Sequence, residues 1–125
     1  MKRYNPVARL YNGTRYSLNG LIVAFQQEQA FEYEAVVMAV LLAVILWARM
    51  SLFSSLALIG AWLIVMALEL VNSAVERAFN LIDRKENPEI KAGKDMLSAS
   101  VFLAIAFNAM LWITFLLIRL PFSVY

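Results

Sequence analysis

Residues 96–118 read MLSASVFLAIAFNAMLWITFLLI, and this stretch decides the fold because it carries no charged side chain along its whole length. A helix needs roughly 20 consecutive apolar residues to cross about 30 Å of hydrocarbon. This stretch exceeds that length by itself. It therefore predicts a membrane-spanning helix.

Two shorter uncharged runs lie upstream, at residues 35–48 and 52–68. Each is short of a full span, so each is expected to include polar neighbours at one end. The predicted spans are about 30–49, 52–70 and 95–118, with the second continuing as a helix beyond the membrane to about 82. Three such runs in 125 residues favour membrane helices over helices buried in the core of a soluble protein.

The composition agrees with a membrane protein. The chain is 62% hydrophobic and 16% charged, with a mean hydropathy of +0.69, whereas soluble domains are roughly 25% charged. One domain over residues 1–125 is expected, and disorder is excluded. The absence of Cys and His excludes disulfides, thiolate nucleophiles and a histidine base. Any metal must therefore use oxygen ligands, which suit Mg²⁺, Mn²⁺ or Ca²⁺.

The pattern of apolar and charged side chains in residues 6–27 predicts a surface helix. Leu10, Leu18 and Ile22 recur at roughly helical spacing, opposite Arg9 and Arg15. This pattern indicates an amphipathic helix lying in the membrane surface, with a merely solvated helix as the alternative. Polar residues interrupt the segment too early for a cleavable signal peptide, so it is expected to stay on the protein.

The distribution of charge predicts an orientation. All of the 11 Lys and Arg residues except Arg49 and Arg119 lie before the first span or between the second and third. The positive-inside rule then places the N-terminus in the cytoplasm and the C-terminus outside. The acidic residues fall on the same cytoplasmic side, where we expect the function to lie.

Glu69 is the charged group that most needs an explanation. It follows Leu52 by 17 residues, which places it about 25 Å across a hydrocarbon core of about 30 Å. An ionisable side chain at that depth is costly and is functional by default. It shares one helix face with polar residues at positions i+3, i+4 and i+7, namely Asn72, Ser73 and Glu76.

More polar residues return to the same depth. Asn87 and Pro88 mark a turn that makes the second and third spans antiparallel neighbours, and Lys94 and Asp95 then re-enter near the level of Glu76. The start of the first span adds glutamates, namely Glu28, Glu32 and Glu34. Some of these carboxylates are expected only to solvate helix ends. In a chain without Cys or His, these residues favour carboxylate-bound Mg²⁺ with a carboxylate base, which suits phosphoryl transfer to a lipid hydroxyl. A nucleic-acid partner is not expected.

Two spaced motifs carry a family resemblance. Glu69-Leu-Val-Asn-Ser-Ala-Val-Glu76 is followed, after 17 residues, by Lys94-Asp-Met-Leu-Ser-Ala99. These motifs resemble the signature of the prokaryotic diacylglycerol kinases, and two further segments at residues 16–21 and 28–34 extend the match over nearly the whole chain. The resemblance implies a homotrimeric inner-membrane enzyme with three transmembrane helices and a surface helix. It also implies transfer of the γ-phosphoryl group of MgATP to diacylglycerol, which makes phosphatidic acid.

The resemblance also implies residue roles. Glu69 matches the general base, Glu28 and Glu76 match ligands of Mg²⁺, and Asn72 is expected to orient Glu69 or a phosphate oxygen. The positions that match ATP contacts are Arg9, Tyr16, Glu28, Glu76, Lys85, Glu86, Asn87, Lys94 and Asp95. The positions that match lipid contacts are Arg9, Ala30, Phe31, Glu34, Trp47, Ser98 and Trp112.

The chain departs from the family pattern at two positions. Asn80 stands where the family usually has Asp, and Asn19 stands where a basic residue is common on the surface helix. The first departure could weaken metal coordination or folding around the loop, and the second could weaken the attraction of a phosphate or headgroup.

Other functions stay open from the sequence. Pro88 is typical of the branch of the family that phosphorylates undecaprenol, whereas residues 30–34 and 96–99 favour diacylglycerol. A small proton-coupled transporter is a further alternative, with Glu69 as proton carrier, although transporter sites usually lie near the membrane midplane. A purely structural role would leave the depth of Glu69 unexplained.

Overall fold

The computed structural model describes residues 5–82 and 87–119, and over these residues the chain forms four α-helices. Helix α1 is Pro6–Gln27, α2 is Gln29–Trp47, α3 is Leu52–Ile82 and α4 is Pro88–Arg119. The last three are long and apolar enough to cross a membrane. This architecture confirms the expected all-α fold, while the assignment of the whole chain to one domain stays a prediction.

Helix α1 begins and ends at well-defined caps. The side chain of Asn5 accepts a hydrogen bond of 3.0 Å from the backbone N–H of Val7, and Pro6 occupies the first turn, where its missing N–H costs nothing. At the other end Glu28 has extended backbone angles, φ −113 and ψ 105, and α2 starts at the next residue. Glu28 therefore stands at a corner between the two helices.

The connection between α2 and α3 is short and tightly held. Arg49 adopts a positive φ of 48°, and Ser51 then caps α3 by accepting a bond of 3.2 Å from the N–H of Ser54. The guanidinium of Arg119, at the end of α4, donates to the backbone carbonyl of Ala48 over 3.0 Å. The C-terminal end of α4 is thus tied to the end of α2.

Helix α4 begins earlier than the span expected from about residue 95. The side chain of Asn87 accepts a bond of 2.9 Å from the N–H of Glu89, and Pro88 fills the first helical position. An Asn followed by Pro marks a turn in the sequence, but the same pair is also an N-cap followed by an N1 proline. Both α3 and α4 therefore extend beyond their apolar stretches as a helical hairpin.

Helix α3 packs against both other long helices. One buried cluster joins Leu41 and Ile45 of α2 to Leu58 of α3, and a second joins Val65 of α3 to α4. Most of the remaining apolar surface of the three long helices faces outward, as expected of helices that meet hydrocarbon. The core consequently sets the height at which the polar residues of α2, α3 and α4 meet.

Candidate active site

The polar face of α3 lies against its neighbours rather than in open solvent. Asn72 and Ser73 are buried, with 8% of each residue exposed, and Glu69 and Glu76 are half-buried. The side-chain oxygen of Asn72 has no hydrogen-bond partner within the described part of the chain. A buried amide oxygen without a partner is rare, so this oxygen is available to a ligand, a water or another copy of the chain.

Glu34 of α2 is more deeply buried than Glu69, the residue at which the sequence predicts a buried carboxylate. It is 9% exposed, and its Oε2 atom lacks a hydrogen-bond partner among residues 5–82 and 87–119. The charge of Glu69 reaches it across the helix interface. By contrast Glu32, on the same helix, is exposed. Glu34 thus lies in the interior between the helices, whereas Glu32 lies outside.

Glu28 is held by a cation at the corner between α1 and α2. Arg77 of α3 donates from Nη2 and Nε to the same carboxylate oxygen, Oε1, over 2.6 and 3.0 Å. The Nη2 atom also donates to the side-chain oxygen of Gln27 over 3.0 Å. These bonds join the end of the surface helix to the turn of α3 that carries Glu76.

A groove of about 500 Å³ runs between α1 and α3. Glu28 and Arg77 lie at its wall, while Leu21, Ala24 and Leu70 supply apolar surface. A groove with this lining can accept a molecule that is largely apolar and carries a polar end.

The hairpin between α3 and α4 positions a second charged group. Lys94 is half-buried, and its ammonium donates to the side-chain oxygen of Asn80 over 2.8 Å. A neutral amide at position 80 therefore binds this lysine without neutralising it. Asn87 caps α4 through its side chain. Two predicted nucleotide contacts, Lys85 and Glu86, lie outside the described residues.

Asp95 is exposed and accepts a bond of 2.8 Å from Lys91, one turn earlier on α4. Lys91 lies ahead of the apolar stretch of this helix, and the hydrogen bond and charge of Asp95 raise the pKa of its ammonium above the ordinary value. The pair is solvent-exposed on both sides, so it contributes little to stability. Asp95 is free to exchange Lys91 for another cation.

The remaining predicted site residues are spread along the helices. Arg9 and Tyr16 are exposed on α1, and Ala30 is exposed near the start of α2, next to the buried Phe31. Ser98 is exposed near the polar level of α4. Ala30 and Ser98 lie at the same end of the bundle as Glu28, whereas Arg9 lies 19 residues before Glu28 along α1. The structure does not gather these residues into one pocket.

The two tryptophans predicted to contact lipid lie towards the opposite end. Trp47 is 86% exposed at the end of α2, about 28 Å along the bundle from Glu28 at 1.5 Å per residue. Trp112 is half-buried and packs against the cluster that contains Leu58. Neither can contact the same small group as Glu69, although both can line the path of a long acyl chain.

The acidic residues fit one kind of metal binding. Within residues 5–82 and 87–119, no three acidic side chains form a group that could hold a metal ion. Mg²⁺ does not need such a cage, because it usually takes one or two carboxylates together with phosphate oxygens and waters. Arg77 bonds to Glu28 and directly follows Glu76 on α3, so these two carboxylates are the candidates for such a site.

Sequence reasoning missed Arg77 and Trp62. Arg77 follows Glu76 directly, but nothing in the sequence near it pointed to a partner 49 positions away. Trp62 donates its indole N–H to the backbone carbonyl of Glu34 over 2.9 Å. Its only signal was a large polar-tipped ring inside an apolar run.

Comparison with known proteins gives one consistent family. Residues 15–116 match the family model for prokaryotic diacylglycerol kinase. The chain is 35% identical over 112 residues to the diacylglycerol kinase of Haemophilus influenzae, which covers 90% of this chain and 95% of that protein. It is 34% identical over 116 residues to the diacylglycerol kinase of Pseudomonas aeruginosa, with 93% and 94% covered. The diacylglycerol kinase of Escherichia coli K12 is 35% identical over 106 residues, with 83% and 85% covered.

Proposed function

This chain belongs to the prokaryotic diacylglycerol kinase family, and on that premise we propose that it transfers the γ-phosphoryl group of ATP to the hydroxyl of diacylglycerol, making phosphatidic acid. Family membership makes it a lipid kinase, and its three apolar helices make it a multi-pass membrane protein. The observation that carries the proposal is the polar face of α3, where half-buried Glu69 and Glu76 flank the buried Asn72 and Ser73.

Glu69 acts as the general base. Its carboxylate lies just inside the apolar part of α3, the depth at which a lipid hydroxyl rests. The hydroxyl oxygen forms a bond to the γ-phosphorus, the bond from that phosphorus to the β-phosphate oxygen breaks, and ADP leaves. The hydroxyl proton passes to Glu69. The free side-chain oxygen of Asn72, three residues along the same face, orients the groups around this carboxylate.

Glu28 and Glu76 would hold Mg²⁺ together with the ATP phosphates. The metal supplies charge that offsets the negative charge of the phosphates during transfer. The ammonium of Lys94, which is bound to a neutral amide rather than a carboxylate, keeps its positive charge available for phosphate oxygens. The other residues proposed to contact ATP are Arg9, Tyr16, Lys85, Glu86, Asn87 and Asp95.

The lipid lies along the groove between helices. Glu34 and Phe31 are buried beside the polar level, and the apolar wall between α1 and α3 accommodates chain carbons. The other residues proposed to contact lipid are Arg9, Ala30, Trp47, Ser98 and Trp112. The same site chemistry suits the hydroxyl of undecaprenol, and Pro88 at the start of α4 is the feature that favours it.

Glu69 and Glu76 are seven residues apart, or about 10 Å along α3. This gap is wide for one protomer, because the base must take its proton from the same hydroxyl oxygen that bonds to the γ-phosphorus. A homotrimer resolves it, since neighbouring copies can contribute residues to one site. We propose that this site lies at the cytoplasmic face of the inner membrane, with the N-terminus inside and the C-terminus outside, and the distribution of Lys and Arg supports this orientation.

Replacement of Glu69 by Gln tests the proposed base. The Glu69→Gln variant keeps the size of the side chain and loses the proton acceptor, so transfer from ATP to diacylglycerol should fall by about 100-fold or more. Binding of ATP should be retained. Glu32→Gln is the matched control, because Glu32 is an exposed glutamate of α2 outside the site. Unchanged transfer by the Glu69→Gln variant would contradict the assignment of the base.

A further inference from the structure

Arg77 makes an asymmetric contact with Glu28. Both of its hydrogen bonds to this carboxylate end on Oε1, at 2.6 and 3.0 Å. In the described part of the chain, Oε2 of Glu28 accepts no hydrogen bond. One oxygen of the carboxylate is therefore occupied, and the other is left for a further ligand.

The guanidinium is itself fixed in place. Its Nη2 atom donates to Gln27 as well as to Glu28, so Arg77 is hydrogen-bonded to two consecutive residues at the corner between α1 and α2. Arg77 stands on α3 directly after Glu76. The contact therefore ties the carboxylate of Glu28 to the helical turn that carries Glu76.

The pair is not built for stability. The Arg77 side chain is 49% exposed and that of Glu28 is 27% exposed, and ion pairs this open to water contribute little to folding. An Arg–carboxylate contact does fix geometry, because the planar guanidinium holds its partner in a defined orientation. The contact therefore serves to orient the carboxylate of Glu28.

We propose that Arg77 is a positioning residue that holds Glu28 by one oxygen and aims the other at the metal–nucleotide complex. This inference rests on the proposed function, in which Glu28 and Glu76 share Mg²⁺ with ATP. Carboxylate ligands of metals are commonly oriented by such hydrogen-bond donors. Arg77 acts through Glu28 and does not itself touch the reacting atoms.

Binding of Mn²⁺ in place of Mg²⁺ tests this role without turnover. The full-length protein in detergent micelles is titrated with Mn²⁺ in the presence of a non-hydrolysable ATP analogue, and free Mn²⁺ is followed by electron paramagnetic resonance. The Arg77→Met variant, which keeps the length of the side chain, should raise the Kd of Mn²⁺ by about 10-fold. Arg77→Lys should restore part of the affinity. Without metal, the Tm of both variants should stay close to that of the wild type.

Two comparisons separate positioning from other roles. In a Glu28→Gln background the Arg77→Met change should have no further effect on the Kd, because the residue through which it acts is gone. Arg49→Gly removes one positive charge at the opposite end of the bundle and should leave the Kd unchanged.

The outcomes that overturn the inference differ from those that overturn the proposed function. An unchanged or lower Kd in the Arg77→Met variant, or an equal loss in the Glu28→Gln background, would contradict the role of Arg77 alone. A wild-type protein that binds no Mn²⁺ with the analogue would contradict the proposed function, and this inference with it.

Discussion

The indole N–H of Trp62 in α3 donates a hydrogen bond of 2.9 Å to the backbone carbonyl of Glu34 in α2. This bond fixes the height of Glu34 relative to α3. Glu69 lies about two turns further along the same helix, and its charge reaches the buried carboxyl group of Glu34. The bond from Trp62 thus fixes the position of α2 against α3 near both acidic residues.

Loss of this hydrogen bond should weaken the bundle. Trp62→Phe keeps an aromatic ring and removes the donor, so the free energy of unfolding should fall by about 1 kcal/mol. Thermal unfolding in detergent measures the change. Tyr33→Phe is the control, since Tyr33 is exposed and its hydroxyl accepts a bond of 2.7 Å from Gln29 in contact with solvent. Equal Tm values for the Trp62→Phe variant and the wild type would show that the bond contributes nothing.

Glu34→Gln should separate stability from function. A buried carboxyl group with an unpartnered oxygen, close to a second carboxylate, is costly. The amide of similar shape should therefore raise the free energy of unfolding by about 1 kcal/mol, within the range for buried polar groups. Because Glu34 is proposed to contact the lipid, the same variant should raise the KM for diacylglycerol. A Tm below that of the wild type would contradict the stability argument, and Glu32→Gln should change neither quantity.

The turn at Arg49 stores strain that glycine would relieve. With φ at 48°, this residue adopts the left-handed conformation that favours glycine. Arg49→Gly should raise the free energy of unfolding by up to about 1 kcal/mol. Arg49→Ala removes the same charge and keeps the strain, so it should bring no such gain. If both variants gave the same Tm, loss of charge rather than relief of strain would be the cause.

The hairpin of α3 and α4 depends on a close approach between Gly93 and Phe79. A Cβ atom at Gly93 would lie 3.0 Å from Cζ of the Phe79 ring. Alanine is favoured over glycine inside a helix, but at position 93 the ring of Phe79 must move to admit the methyl group, so Gly93→Ala should change the free energy of unfolding about 1 kcal/mol less favourably than Gly13→Ala. A second change, Phe79→Leu, should recover part of that difference. Gly13→Ala is the control, because nothing lies within 4 Å of a Cβ atom built there. A Gly93→Ala variant stabilised as much as the Gly13→Ala variant would contradict the packing argument.

The long helices could be predicted from the sequence because their physics is local. An uncharged run is either long enough to cross hydrocarbon or it is not, and residues 96–118 satisfy that test without reference to any partner. The start of α4 was harder to predict. Asn87 and Pro88 are compatible with a turn and with a helix cap, and only the path of the chain decides between them.

The site was predicted less completely because its key contacts join distant parts of the chain. Periodicity places Glu69 and Asn72 on one face, but it does not distinguish Glu34, which is buried, from Glu32, which is exposed. The bond between Arg77 and Glu28 spans 49 positions. No local pattern encodes such a pair.

Transfer of radiolabelled γ-phosphate from MgATP measures the proposed activity and its lipid substrate together. The purified protein is offered diacylglycerol and undecaprenol side by side in mixed micelles, and the lipid products are separated. The label is expected mainly in phosphatidic acid. Label mainly in the polyprenol phosphate would contradict the proposed substrate, and label in neither lipid, from folded protein, would contradict the proposed kinase activity itself.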